Sequence, residues 1–205
     1  MYELLYAHFG PCHWWPGDSA LEIAVGAVLT QNTAWKNVAR AIANLKEAGV
    51  LELEALRALK PKNLANLIRP AGYYNLKEQR LRNLLDMFHH ECDGDLDLLW
   101  QRPLSQARDL LLSVKGVGPE TADSILLYAG GLPTFVIDAY TFRVLGRHGL
   151  AADHDAYPDL QALFMKNLEP DPALYNEFHA LIVRLGHRVC KKNNPLCDDC
   201  PLQGW

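Results

Sequence analysis

The stretch that most constrains the fold is LLSVKGVGPETADSILLYA, residues 111–129, in which two apolar, helix-like segments meet at a short turn. The turn, KGVG at 115–118, contains two glycines, which can take left-handed backbone angles without a Cβ penalty. Pro119 suits the first position of the helix that follows. The sequence therefore predicts a helical hairpin, and the amide groups near the start of its second helix could together bind an anion such as a phosphate. A tight hairpin that binds no ligand is the alternative interpretation.

Helical periodicity dominates the rest of the chain, and convincing strand alternation is not found, so we predict an all-α protein of about ten helices joined by short connections. Ser19 and Glu22 form a predicted capping box for a helix that runs through Leu29. Thr33 and Asn75 are predicted to cap two further helices. The remaining predicted helices lie near 53–59, 61–68, 103–113, 119–129, 157–168 and 173–189, with one more that starts at Asp138.

Composition and charge limit the classes of protein that this chain can represent. Hydrophobic residues make up 49% and charged residues 21% of its 205 residues, which is typical of a globular protein in water. No apolar run reaches the roughly 20 residues that a membrane span needs, and the N-terminus lacks the basic region of a secretory signal. We therefore expect a cytoplasmic protein with no membrane partner. Because the formal net charge is −4, any contact with nucleic acid would have to use a local patch or backbone amides.

Three of the five cysteines are clustered near the C-terminus with the spacing C-x6-C-x2-C. An odd number of cysteines in a chain expected to be cytoplasmic argues against a disulfide framework. Clustered thiols instead indicate a metal site, and His187 lies close enough in sequence to be the fourth ligand of a tetrahedral zinc ion. Three thiols without a metal are the alternative. The clustered residues are Cys190, Cys197 and Cys200, and the other two are Cys12 and Cys92.

A second motif, PTFVIDAYTFRVLGRHG at 133–149, follows the hairpin. With these two motifs the sequence closely resembles the helix-hairpin-helix (HhH-GPD) DNA glycosylases of the endonuclease III superfamily. The hairpin of that superfamily reads L-x-G-V-G-x-x-T-A, which residues 114–122 match, and its catalytic aspartate follows in a V-D-x-[HY] context, which Asp138 matches. Two more stretches, AVLTQNTAWKNV and IRPAGYYNLKEQRL, resemble its S/T-Q-x-T helix end and its G-x-Y-N-x-K-A loop.

The resemblance implies a two-lobed fold with a C-terminal cysteine metal-cluster loop. Residues 19–131 would form a helical barrel lobe that ends in the hairpin, and residues 1–18 plus 132–205 would form a second helical lobe. The expected partner is double-stranded DNA with a flipped damaged base, bound by a monomer, because an enzyme that acts on a base must first take it out of the stack.

The DNA contacts that the resemblance implies fall on the hairpin and on two earlier segments. Gln31 and Tyr73 are the candidates for filling the gap that a flipped base leaves. For Tyr73 the alternative is a loop aromatic that packs on the core. The hairpin residues expected to contact DNA are Lys115, Gly116, Val117 and Gly118.

Asp138 and Glu120 are the candidate catalytic residues. Breaking an N-glycosidic bond builds positive charge on the sugar, which a fixed carboxylate at Asp138 can stabilise while it orients the attacking water. In bifunctional members of the superfamily a lysine occupies the Glu120 position and forms a Schiff base with the sugar. A carboxylate cannot do so, and the resemblance therefore implies a monofunctional enzyme that leaves an abasic site. The structural alternatives are that Asp138 caps a helix and that Glu120 complements a helix dipole.

Trp14, Trp15 and Trp35 are the candidate residues of a base pocket. The WWP segment and the RPAGYYN loop resemble those of the 3-methyladenine DNA glycosylase III type, which also has a glutamate in the hairpin. An alkylated purine such as 3-methyladenine is cationic, so indole rings attract it by roughly 0.5–2 kcal/mol. Such a base also leaves without a general acid. The alternative is that these tryptophans serve lobe packing.

In this superfamily the C-x6-C-x2-C pattern continues with x5-C and holds a 4Fe-4S cluster, for which thiolates are suitable ligands. Here the fourth cysteine would fall one residue beyond Trp205. The resemblance implies a structural 4Fe-4S cluster on Cys190, Cys197 and Cys200, and zinc remains the alternative.

The sequence thus predicts a monofunctional DNA glycosylase of base excision repair that hydrolyses the bond to alkylated, 3-methyladenine-like bases in the cytoplasm, in association with the nucleoid. A mismatch thymine or uracil DNA glycosylase is one alternative. A non-catalytic helix-hairpin-helix DNA-binding protein is another, against which the presence of Asp138 argues.

Overall fold

The computed structural model describes residues 1–152 and 154–205. Over this part of the chain the backbone forms helices and no β-strand, which confirms the predicted all-α class. None of these described helices is long and apolar enough to span a membrane. The α-helices are α1 Tyr2–Phe9, α2 Ala20–Thr30, α3 Trp35–Glu47, α4 Leu53–Ala58, α5 Pro61–Leu67, α6 Tyr74–Glu91, α7 Asp97–Trp100, α8 Leu104–Ser113, α9 Pro119–Ser124, α10 Ala139–Arg147, α11 Tyr157–Asn167 and α12 Pro172–Arg188.

The described chain divides into two compact units. The central unit is Gly17–Leu132 and contains α2 to α9, after which a π-helical turn, Ile125–Ala129, extends α9. The terminal unit consists of Met1–Pro16 and Pro133–Trp205 and contains α1 and α10 to α12. The lobes expected from the sequence stay a prediction.

Helix α2 lies in the core of the central unit. Its sequence, ALEIAVGAVLT, is apolar on nearly all sides, and such a helix is stable when other elements surround it. The predicted start is confirmed, because the Ser19 hydroxyl accepts a hydrogen bond from Glu22 N at 3.2 Å. The Glu22 carboxylate accepts from Asp18 N at 3.0 Å and pairs with Lys46. These contacts fix the beginning of a helix whose C-cap is Gln31.

Two predicted helix starts are wrong. Helix α3 has Ala34 as its N-cap without a side-chain bond, whereas the N–H of Thr33 closes a turn onto the end of α2. Helix α6 begins at Tyr74 with Tyr73 as its N-cap, so Asn75 lies inside the first turn. A side chain that could cap a helix does not decide where the helix begins when tertiary contacts already fix the preceding loop.

Sequence periodicity also does not reveal α1 and α7, because helices of 8 and 4 residues are too short to show a helical period.

Helix α12 is the element of the terminal unit on which α1 and α10 both pack. Gly186 allows the Tyr140 ring of α10 to lie directly on α12, since a Cβ at Gly186 would come within 2.5 Å of that ring. Toward α1, Arg184 donates to Phe9 O at 2.9 Å. One helix therefore supports both the start of α10 and the N-terminal segment.

Candidate functional site

Helices α8 and α9 form the predicted hairpin and are joined by a turn at 114–118. Gly116 has φ 99°, in the left-handed region, and a Cβ there would also collide with the side chain of Arg80 on α6. Gly118 has φ −97° and ψ 178°, which any residue can adopt. A Cβ at Gly118 would meet no described atom within 4 Å. The fold therefore requires the first glycine, whereas the second leaves an open face on the turn.

The turn is held to the protein through its carbonyl groups. Gln31 Nε2 donates to Gly116 O at 3.1 Å, and Asn83 Nδ2 donates to Lys115 O at 2.9 Å. The hydrogen bonds found among the described residues do not use the amide N–H groups of Gly116 and Gly118. Two backbone donors of the turn are thus available for an anion. The Lys115 side chain beside them is exposed, and Val117 is buried as the anchor of the turn.

Gln31 acts as a positioning residue for this turn. Besides its bond to Gly116, its Nε2 donates to Thr121 Oγ1 at 2.9 Å, and its Oε1 accepts from Arg80 Nη1 at 2.6 Å. Both ends of the amide are therefore engaged inside the central unit. The expected role of Gln31 in filling a gap in DNA stays a prediction and would require these bonds to break.

An ion pair joins the two helices of the hairpin. Arg108 on α8 donates through Nε and Nη2 to the two carboxylate oxygens of Asp123 on α9, at 2.8 and 3.1 Å. Asp123 is fully buried, and this bidentate geometry satisfies both of its oxygens. Loss of the arginine would remove the charged partner of a buried carboxylate, a change that costs about 3–5 kcal/mol. The pair therefore keeps α8 and α9 together beneath the turn.

Tyr73 projects from the loop before α6 with 71% of its surface accessible and with φ 44°. The loop behind it is anchored by Lys77, whose buried ammonium donates to Leu29 O and Ala71 O at 2.8 Å each. Burial, with a smaller contribution from the charge of Arg80, lowers the pKa of Lys77 to about 8. An exposed aromatic ring on an anchored loop is suited to insert between bases. That Tyr73 fills the gap left by a flipped base stays a prediction.

Asp138 is the N-cap of α10. Its Oδ1 accepts from Thr141 N at 2.8 Å and from Thr141 Oγ1 at 2.9 Å. Its Oδ2 lies 3.7 Å from His179 Nε2, and the side chain keeps 12% of its accessible surface. Burial raises the pKa of Asp138, but His179 and the bonds from Thr141 outweigh burial and hold the pKa below its ordinary value of 3.8. The group is therefore a carboxylate at neutral pH.

His179 is a residue of this site that the sequence-based list of candidates lacks. It lies on α12 and is buried, and its sequence neighbours Phe178, Ala180 and Leu181 are buried apolar residues. The sequence signal for this residue is a histidine within an apolar stretch, because a buried polar side chain usually has a specific partner. The charged group that faces it from α10 is Asp138.

Trp14 and Trp15 contact each other in the terminal unit, with ring centroids 5.3 Å apart and an interplanar angle of 72°. Their segment is held on α12, because Cys12 N donates to Glu177 Oε1 at 2.7 Å. Burial and the adjacent Glu177 raise the pKa of Cys12 to about 11, so its thiol stays protonated at neutral pH. Trp35 belongs to the central unit, where it packs partly against the core. Two of the three predicted pocket residues thus lie together, and the place of Trp35 beside them stays a prediction.

Glu120 is the second residue of α9 and is exposed. A carboxylate in the first turn of a helix is favoured by the helix dipole, so this position also has a structural explanation. The exposed side chain next to the turn remains accessible to a ligand of the hairpin. A catalytic role for Glu120 stays a prediction.

The C-terminal cysteines follow α12, with Cys190 buried, Cys197 exposed and Cys200 half-buried. The donor chemistry fits an iron–sulfur cluster, and Arg147 Nη1 donates to Cys190 Sγ at 3.1 Å. Among the described residues, no group of three His, Cys, Asp or Glu side chains is arranged to hold a metal ion. The zinc alternative with His187, an exposed residue, is therefore not supported, and the 4Fe-4S cluster stays a prediction.

A helical fold with this hairpin turn and an ionised aspartate at the start of the following α-helix defines the class of endonuclease III-like helix-hairpin-helix proteins. A solved endonuclease III in a trapped covalent intermediate with DNA matches the fold with a TM-score of 0.85. That match covers 98% of this chain and 90% of the other at 23% identity. The fold expected from the sequence is confirmed.

The family model of the HhH-GPD superfamily base excision DNA repair protein matches residues 25–170, and the chain belongs to this superfamily. A Methanocaldococcus jannaschii protein named "Putative DNA repair glycosylase MJ1434" is 44% identical over 205 residues, which are 99% of this chain and 92% of that protein. The 3-methyladenine DNA glycosylase MagIII of H. pylori, solved with bound 1,N6-ethenoadenine, is 30% identical with a TM-score of 0.76, covering 90% of this chain and 95% of the other.

Proposed function

We propose that this protein is a monofunctional DNA glycosylase that hydrolyses the N-glycosidic bond of an alkylated purine such as 3-methyladenine. The observation that carries the proposal is the Asp138 carboxylate, which is ionised, held through one oxygen by Thr141 and still partly accessible. Positive charge develops on the sugar as the bond breaks. A carboxylate that is already oriented stabilises this charge without reorganising at the moment of reaction.

Water is the nucleophile in the proposed reaction. Because the pKa of Asp138 lies below 3.8, the carboxylate is charged at neutral pH and can orient a water molecule toward the sugar. A lyase reaction would instead need an amine, and the hairpin carries Glu120 where the resemblance expects that amine. An endonuclease III has been solved as a trapped covalent intermediate with DNA. Whether this protein forms such an intermediate can therefore be measured directly.

Trp14 and Trp15 support a cationic purine as the substrate. Since their planes meet at 72°, a flat base could stack on the face of one indole while it meets the edge of the other. A methylated, positively charged purine gains roughly 0.5–2 kcal/mol from such a face, more than a neutral purine does. Its own charge makes it a good leaving group without a general acid. The 30% identity to a 3-methyladenine DNA glycosylase supports the same substrate class.

The experiment that tests the proposal is a panel of damaged duplexes in which release of the free base is measured. Methylated DNA, G·T and G·U mismatches and duplexes with oxidised pyrimidines would be compared. We expect release of 3-methyladenine and little activity on oxidised pyrimidines. Release of thymine from G·T pairs without activity on methylated purines would show the mismatch alternative, and tight binding without release of any base would show a non-catalytic DNA-binding protein.

Substitution of either pocket tryptophan, Trp14→Ala or Trp15→Ala, is expected to lower the rate of 3-methyladenine release about tenfold, the effect of roughly 1.4 kcal/mol. The loss should be smaller for any neutral base that the enzyme removes, since cation–π attraction is then absent. Trp205→Ala is the matched control, because Trp205 is 51% exposed and has no role in the proposed pocket. Equal rates for all three variants would make Trp14 and Trp15 packing residues.

DNA binding by the proposed enzyme would centre on the hairpin. The amides of Gly116 and Gly118 would donate to a phosphate, and exposed Lys115 would add positive charge beside it. This arrangement suits a protein of net charge −4, since it needs no extended basic surface. Tyr73 would enter the duplex where the base has left the stack.

Gly118→Ala is expected to weaken binding to damaged and undamaged duplexes about tenfold, or roughly 1.4 kcal/mol, while thermal stability stays unchanged. The reason is that the added Cβ meets no described atom in the protein but would stand on the open face of the turn. Gly146→Ala is the matched control, because its Cβ is also accommodated, on an exposed part of α10. Normal affinity of the Gly118→Ala protein, measured by fluorescence anisotropy, would exclude this face as the phosphate site.

A 4Fe-4S cluster on Cys190, Cys197 and Cys200 completes the proposal, in a structural role that adds no step to the hydrolysis. The thiol chemistry of the three residues and the position of Arg147 support it. When bound, the cluster would tie the C-terminal segment to the end of α12, where Cys190 lies.

Protein purified without oxygen is expected to contain about four irons per chain with broad visible absorption. Cys197→Ser should lower the iron content, whereas Cys12→Ser should not, because Cys12 lies outside the C-terminal segment. Metal analysis that finds stoichiometric zinc and no iron would refute the cluster.

A further inference from the structure

Helix α12 carries a histidine on the face that meets α10. His179 and Gly186 are seven residues apart, about two helical turns, and so share a face of the helix. Gly186 receives the ring of Tyr140, and Arg143 of α10 donates to Gly186 O at 2.9 Å. These contacts hold α12 on α10, and in that arrangement the imidazole of His179 lies beside the N-cap of α10.

The two oxygens of the Asp138 carboxylate have different surroundings. Oδ1 accepts two hydrogen bonds from Thr141 and is the oxygen that caps α10. Oδ2 faces His179 Nε2 at 3.7 Å, longer than a hydrogen bond. Catalytic contacts that are long in a protein without its substrate often shorten when the substrate binds. The Phe135 ring lies near the imidazole, with ring centroids 6.4 Å apart and an interplanar angle of 84°, and His179 is buried.

We propose that His179 is a positioning residue for base excision, which holds Oδ2 of Asp138 so that the carboxylate is directed at the reacting sugar. This inference rests on the proposed function of Asp138. The Thr141 bonds restrain Oδ1, and a contact to the second oxygen would fix the plane of the carboxylate as well. A hydrogen bond donated by Nε2 would restrain Oδ2 and leave the carboxylate its negative charge, on which the stabilisation of the sugar depends.

A matched pair of variants separates the donor from the packing of the side chain. His179→Gln keeps an N–H donor at a similar reach, whereas His179→Met has nearly the same length and volume without a donor. We expect the methionine variant to lose at least about tenfold in single-turnover base release, since misplacing a reacting group by about 1 Å can cost 100-fold. Binding to damaged DNA should stay at the wild-type level, and the glutamine variant should recover most of the rate.

A double-mutant cycle with Asp138→Asn tests whether His179 acts through Asp138. In the Asp138→Asn protein, His179→Met should cause no further loss of the residual rate, because the group that it positions is already inactive. Thermal melting would verify folding, and His179→Phe, which keeps an aromatic ring at this position, replaces methionine if that variant does not fold.

The outcomes distinguish this inference from the function on which it rests. If the wild-type protein releases a base and both His179 variants match its rate, the positioning role is overturned and the proposed function stands. Equal losses in the glutamine and methionine variants would make His179 a packing residue and would also overturn it. If the wild-type protein releases no base from any duplex, the proposed function fails, and the positioning role fails with it.

Discussion

Asp138→Asn is expected to lower the rate of base release about 100-fold or more, while binding to damaged DNA survives. Asparagine has almost the same shape and is an equally good N-cap, so the bond from Thr141 N to the side chain should remain. What the substitution removes is the charge. Although burial raises the pKa of Asp138, His179 and Thr141 together lower it below 3.8, so the wild-type side chain is fully charged at neutral pH. Single-turnover release of the base, measured with the enzyme in excess, would give the rate.

The matched control is Asp171→Asn, the same change at the N-cap of another helix in the terminal unit. Asp171 caps α12 by accepting from Ala173 N at 2.9 Å, and it is exposed. We expect wild-type rates for this variant, because it changes the net charge and a helix cap by the same amount without touching Asp138. An Asp138→Asn protein that keeps more than about a tenth of the wild-type rate would show that the carboxylate is not the source of the electrostatic stabilisation.

The parts of the fold that the sequence predicts correctly are those that local chemistry determines. The hairpin follows from Gly116, whose positive φ only glycine adopts easily, and from Pro119 at a helix start. The start of α2 follows from Ser19, and the start of α10 from Asp138, because a capping side chain bonds to an amide within three residues. For Asp138 the capping signal and the family motif coincide. The cap is confirmed, and the catalytic role stays a prediction.

The contacts that position the site are long-range and have no local signal. Gln31 reaches the turn across 85 residues, and Lys77 reaches the end of α2 across 48. His179 meets Asp138 only because α10 and α12 pack on each other. A single sequence shows each of these as an ordinary polar residue on a helix or at its end. The packing that gives each one its partner is a property of the assembled core.

The same limit explains the wrong helix starts and the gap between the spacing of the C-terminal cysteines and their arrangement. Thr33 and Asn75 have the side chains of good caps, yet the loops before α3 and α6 are fixed by other contacts, such as those of Lys77. For the C-terminal thiols, the spacing indicates the donor chemistry, whereas the convergence of ligands around a metal depends on how the segment folds around it. Spacing therefore predicts which residues could be ligands and leaves the geometry of the site undetermined.

The wild-type protein is expected to form no covalent complex with damaged DNA in the presence of borohydride, and Glu120→Lys is expected to form one. Borohydride reduces the Schiff base that an amine makes with the sugar, and a carboxylate at position 120 cannot make that adduct. Lysine fits this position, because Glu120 is exposed on the first turn of α9 and the substitution buries no charge. The measurement is a denaturing gel of the protein on end-labelled damaged duplex, in which a trapped complex migrates as a slower band.

Two controls separate the chemistry of the amine from its charge. Glu120→Gln removes the carboxylate without adding a nucleophile and should give no band. Asp109→Lys makes the same change from acid to lysine at an exposed position of α8, so it changes the net charge by the same amount and should also give no band. A band for the wild-type protein would mean that another lysine attacks the sugar, with Lys115 beside the turn as the first to test, and the enzyme would then be bifunctional. A band for Glu120→Lys alone would mean that the identity of one side chain in the hairpin decides between water and protein as the nucleophile.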